Sequence, residues 1–174
     1  MNVEVVDLRF NLRPAEHTPF SRLEKALEVI AAAGVVSGVL LLALRWSALP
    51  AVIPMHFRLS GAPTATGGKH TLILLVAVNV VLYLLVTVLS RIPSLFNYPW
   101  PINAENARRQ YQIGRTALTA TKAELVWVLV WAERQLIHVG LGESERLSLT
   151  LLPIFILIQT ATFAYFMYLA YKTR

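Results

Sequence analysis

Residues able to do chemistry gather in two places. The first is the stretch from Leu49 to Lys69, where Pro54, His56, Phe57, Arg58, Gly61, Pro63, Gly68 and Lys69 stand between two long apolar runs. His56 and His70 are metal ligands by type, but no third ligand stands at a recognisable spacing, so no metal site is expected. Lys69 beside Gly68, just ahead of an expected helix start, could hold a carboxylate or phosphate, but it suits better a charge that marks a membrane boundary. The second place is 118–140, which carries Lys122, Glu124, Glu133, Arg134, Gln135 and His138 inside an otherwise apolar run. An ionised side chain at a bilayer centre costs ~2.5–3.5 kcal/mol, so such groups must be paired, lie near an interface or face a wet cavity. Glu124, Glu133 and His138 are the groups that a small transporter or membrane enzyme would use. Against that stands the lack of any nucleophile with its base, nucleotide-binding loop or two-carboxylate arrangement. No catalytic residue and no cofactor is assigned, and a non-enzymatic protein is expected. With no cysteine in the chain, disulfides, thiolate metal sites and cysteine nucleophiles are excluded.

The elements that must position these residues are membrane elements. The 174 residues are 56% hydrophobic and only 15% charged, too apolar for an ordinary soluble domain. The net charge of +6 does not imply nucleic acid, because the basic residues lie between apolar runs, as charges that set topology do. The expected fold is all-α: a four-transmembrane-helix bundle with spans at about 26–46, 71–90, 118–140 and 147–171 and an ordered extracytoplasmic loop. Residues 1–25 form a cytoplasmic N-terminal segment and 26–174 a single domain. The alternation in Val3 to Phe10 suggests a short strand or interfacial segment. The first apolar run is too long for a signal-peptide core and is expected to stay.

Ser21 and Glu24 match a capping box, which starts a helix near Arg22. Glu28 falls near the polar end of that helix, within reach of the interface. Gly34 and Gly38 form a G-x-x-x-G face that permits close helix approach, within the chain or in a homodimer. In the second span Asn79, Tyr83 and Thr87 recur every four residues and should turn toward the bundle. Phe96, Tyr98 and Trp100 suit a headgroup-level belt, and Asn103 reads as an N-cap that restarts a helix at Ala104. In the third span Glu124, Trp127, Trp131, Arg134, Gln135 and His138 share one broad side, with Lys122 and Glu133 opposite. Lys122 is close enough to one end to snorkel.

Basic residues orient the chain. With both termini inside, the inner side holds Arg9, Arg13, Arg22, Lys25, Arg91, Arg108, Arg109, Arg115, Lys122, Lys172 and Arg174, against Arg45, Arg58, Lys69 and Arg146 outside. The expectation is therefore N-in and C-in, in a bacterial cytoplasmic membrane, with 49–69 facing outward.

The run Leu49-Pro50, Ile53-Pro54-Met55-His56-Phe57, Gly61-Ala62-Pro63 and Gly67-Gly68-Lys69 resembles the uncharacterised bacterial integral-membrane domain found at the N-terminus of SdpI-like immunity proteins. Asn97-Tyr98-Pro99, Glu105-Asn106-Ala107 and Lys122-Ala123-Glu124 look like stand-alone four-helix relatives of that domain. Thr64 replaces the family's usual acidic residue, and the SdpI-type second half of the full immunity proteins is not expected here. The resemblance implies an immunity- or sensor-like protein that binds a peptide or another membrane protein, with Pro54, His56, Phe57, Gly61, Pro63, Gly68 and Lys69 as loop signature. The alternative is an accessory subunit of a larger membrane complex.

Overall fold

The computed structural model describes residues 19–174, so the strand or interfacial segment expected at Val3 to Phe10 lies outside the described residues. The described chain is mostly helical: α1 (Arg22–Arg45), strands β1 (Val52–Phe57) and β2 (Pro63–Gly68), then α2 (His70–Leu89), α3 (Ala107–Gly140) and α4 (Leu151–Lys172). Three of these helices, α1, α2 and α4, are long and apolar enough to cross a membrane. The fourth, α3, is not among them, because its polar residues interrupt any apolar run of that length.

Helix α1 begins as its sequence demands. Ser21 Oγ accepts the Glu24 N–H at 3.1 Å while the Glu24 carboxylate accepts the Ser21 N–H at 2.6 Å, a complete capping box. The start of α3 differs from expectation. Asn103 Oδ1 does accept the N–H groups of Glu105 and Asn106, at 3.0 and 2.9 Å, but the turn it closes precedes the helix, which starts at Ala107. From there α3 runs for 34 residues, roughly 51 Å, well beyond the expected 118–140 and longer than a ~30 Å hydrocarbon layer. The last helix starts at Leu151 rather than 147. Pro153 sits in its first turn, where no backbone N–H is required.

Helix α3 is the axis of the molecule. It packs against α1, α2 and α4, whereas α4 rests on α3. Its buried stripe changes character along its length: Gln110, Arg115, Thr116, Thr119 and Lys122 in the first half, mainly Val126, Val130 and Ile137 in the second. An apolar core of Leu42, Leu49, Ile53, Leu72 and Ile137 therefore sits at the hairpin end, and a polar interior at the other. Gly34 and Gly38 lie against α3. A Cβ on Gly34 would stand 2.6 Å from Val126 Cγ1, and one on Gly38 2.9 Å from Glu133 Oε2. The small-residue face thus brings α1 and α3 close within one chain.

The all-α expectation is corrected in the 49–69 stretch, where β1 and β2 pair as an antiparallel hairpin. Pro54 cannot donate to a ladder, and the register breaks between Pro54 and His56, where Met55 is the extra residue. Gly67 and Gly68 are strand residues. Gly67 leaves room for Met55, whose Cγ would be 3.1 Å from a Cβ there.

Candidate functional site

Three contacts fix the hairpin to the bundle. Ile53 is completely buried and packs on Gly140 at the end of α3. At the tip, Gly61 has φ +77° and its carbonyl accepts the Leu147 N–H at 2.9 Å, tying the hairpin to the loop after α3. The Lys69 ammonium donates to the carbonyls of Trp46 and Leu49, both at 3.0 Å, and lies 4.5 Å from the Trp46 ring. Trp46 is the C-cap of α1 and Leu49 lies in the turn that follows it, a helix end where a cation is favourable. The Lys69 ammonium is thus engaged by backbone carbonyls. Between these anchors His56, Arg58 and Pro63 are exposed, Phe57 is half-buried, and β2 is solvent-facing along nearly its whole length, including Gly68. His56 and His70 do not form a metal cluster, since no group of three such ligands occurs among the described residues.

The interior of the bundle holds two ionic clusters that no local pattern announces. In the first, Arg115 Nε donates to Glu24 Oε1 at 2.7 Å and Nη2 to Oε2 at 3.1 Å, with both side chains almost wholly buried. Thr116 adds a bond to Glu24 Oε1, and the Arg115 guanidinium lies 4.4 Å from the Phe20 ring. In the second, Lys122 donates to Glu28 Oε2 and, at 2.8 Å, to Thr87 Oγ1. Tyr83 donates to Glu28 Oε1 at 2.8 Å, and its ring lies 4.8 Å from the Lys122 ammonium. One expectation changes here. Lys122 does not snorkel; it is buried and meets the partly exposed Glu28 between α1, α2 and α3, because an opposite charge within reach offsets burial better than a lone excursion does. The inward turn of Asn79, Tyr83 and Thr87 matches expectation: Asn79 is buried, and the other two bond Glu28.

The polar residues of 118–140 that drew attention in sequence have separate partners. Glu124 faces α4 and accepts the Thr162 hydroxyl at 2.6 Å. Glu133 lies against Gly38 between α1 and α3, 1% exposed, and its Oε1 meets no hydrogen-bond partner. His138 pairs with Glu143 at 2.7 Å near the hairpin end, where Arg45 also reaches Glu143 at 3.3 Å. Arg134 is exposed. Glu124, Glu133 and His138 therefore have different neighbours: Thr162 of α4, Gly38 of α1 and Glu143 of the α3–α4 loop.

Sequence reasoning missed Glu24–Arg115 and Glu28–Lys122 as pairs. The available signal was an acid four residues after another at the start of α1 and basic residues seven apart in α3, which place two charges of each sign on facing stripes. No curated protein and no solved structure matches the chain. A family model described as a domain of unknown function (DUF1648) matches residues 33–81, which cover the second half of α1, the whole hairpin and the first half of α2.

Proposed function

We propose that the protein acts without catalysis, by binding a peptide or another protein at the membrane surface through its hairpin, in the manner of an immunity or sensor protein of the SdpI type. In this reading all four helices span a bacterial cytoplasmic membrane, both termini are cytoplasmic, and the hairpin is extracytoplasmic. The observation that carries the reading is the hairpin itself: anchored by Ile53, Gly61 and Lys69, yet exposed along β2 from Pro63 to Thr66. An anchored strand with an open edge offers unpaired backbone N–H and C=O groups to an extended segment and loses little entropy in accepting it. Exposed His56 and Arg58 add polar contacts beside that edge.

Photo-cross-linking in native membranes tests this. A cross-linker at Thr66 on β2 is expected to yield a discrete protein or peptide adduct, and one at Val81, on the lipid-facing side of α2, is not. Adducts at neither position, together with purification as a lone chain in mild detergent, overturn the reading.

A further inference from the structure

Basic charge is concentrated where α3 begins and α4 ends. Arg91, Arg108, Arg109, Lys172 and Arg174 are all exposed, and none of them forms an ion pair among the described residues. Over 89–115 and 162–174 the only carboxylate side chain is Glu105. The hairpin end differs: there Glu143 takes both Arg45 and His138, and exposed Glu145 precedes Arg146.

A cleft of about 560 Å³ opens between α3, α4 and the connection from α2 to α3, and no charged residue lines it. Its α3 wall runs from Gln110 to Thr121, roughly 17 Å along the axis, and its α4 wall from Thr162 to Ala170. The third wall, 95–99, is fixed by Tyr98, whose hydroxyl donates to the Pro93 carbonyl at 2.9 Å and would stand 3.0 Å from a Cβ on Gly114. Side-chain contacts gather cations at one end of this cleft. Gln110 donates to the Ala170 carbonyl at 2.8 Å and to Thr173 Oγ1 at 3.3 Å, which joins the start of α3 to the end of α4. Arg109 adjoins Gln110, and Arg174 adjoins Thr173. The Arg174 guanidinium lies 4.4 Å from the Tyr171 ring, which in turn meets the Trp100 ring at 6.0 Å.

An apolar cleft with cations at one end complements an amphiphile with an anionic head. A free phosphate would leave the apolar walls unfilled, and a zwitterionic head would bring a cation of its own to the arginines. We propose that the cleft seats an acyl chain of an anionic phospholipid, whose headgroup is held by Arg109 and Arg174 with Arg108 beside them. This requires only that the chain lies in a membrane; it does not depend on which side the hairpin faces or on what the hairpin binds.

Native mass spectrometry of the full chain in dodecylmaltoside, with dioleoylphosphatidylglycerol and dioleoylphosphatidylcholine added in equal amounts, tests this. The unaltered chain is expected to retain phosphatidylglycerol at least about tenfold over phosphatidylcholine. Arg109→Gln combined with Arg174→Gln should abolish that preference. Arg22→Gln combined with Lys25→Gln, exposed bases on α1 that lie outside the cleft, should leave it intact. Ala117→Phe, which fills the cleft from α3 and keeps every charge, should abolish phosphatidylglycerol retention. The substituted bases are all exposed, so the charge variants decide the matter if Ala117→Phe does not fold. Near-equal retention of the two lipids by the unaltered chain overturns the proposal. So does a preference that survives the Arg109/Arg174 variant or a folded Ala117→Phe, or one lost in the Arg22/Lys25 variant. Displacement of the lipid by excess sn-glycerol 3-phosphate also overturns it, since the headgroup alone would then suffice.

Discussion

Glu24 does two jobs with one carboxylate: it closes the capping box at the start of α1 and receives Arg115 from α3. Removing either partner leaves the other charge buried and unpaired, a loss of ~3–5 kcal/mol, whereas removing both is far milder. Glu24→Leu and Arg115→Leu should each lower the unfolding midpoint in detergent strongly, and the double variant should recover much of the loss. Strict additivity in that cycle would mean that the pair does not interact. Glu133 makes the opposite case: its Oε1 has no partner, so isosteric Glu133→Gln should leave stability unchanged or raised, and a large loss would reveal a bond to this carboxylate that the account lacks. The capping box was readable in the sequence because Ser21 and Glu24 are three residues apart. Its junction with Arg115 was not, because local pattern carries no information about which distant charge comes to rest against it. Lys122 was misread for the same reason: its distance from the end of an apolar run suggested snorkelling, while Glu28 on another helix determined its place.

At the scale of elements, close approach of α1 to α3 rests on Gly34 and Gly38. Gly34→Ile places branched carbon where Val126 and Trp127 already stand, and overpacking of this kind typically costs ~1–3 kcal/mol. The expected result is a lower unfolding midpoint together with loss of the Trp127 to Ile30 carbonyl bond, now 3.0 Å, seen as a shift in tryptophan emission. An unchanged midpoint would mean that the helices do not approach this closely. At the hairpin tip, Gly61→Ala meets two obstacles: a positive φ and the Leu147 carbonyl oxygen 2.1 Å from the new Cβ. It should release the tip from the α3–α4 loop, read as faster amide hydrogen exchange in β1 and β2; unchanged exchange would contradict the anchoring role. The helices were largely foreseen from apolar periodicity and caps. The hairpin was not, because its β1 strand contains Pro54 and its β2 strand ends in Gly67-Gly68, residues that ordinarily signal turns.

For the whole molecule, the architecture is a polar helix enclosed by three apolar ones. α1, α2 and α4 are each apolar enough to cross a membrane, and they surround α3, whose buried face carries Gln110, Arg115, Lys122 and Glu133. Hydropathy alone identified the enclosing helices and flagged 118–140 as unusual. It could not show that Arg115 and Lys122 of α3 are paired with Glu24 and Glu28, which would lower the cost of placing α3 in a membrane. A membrane position for α3 requires 49–69 and the α3–α4 loop to lie on one side of the bilayer with the α2–α3 connection on the other. The natural chain has no cysteine, so single variants Ser60→Cys, Asn97→Cys and Ser144→Cys can be labelled in intact cells with a membrane-impermeant maleimide. Labelling is expected at positions 60 and 144 from outside, and at 97 only after permeabilisation. Labelling of 97 and 144 from the same side would contradict it, since α3 would then not cross.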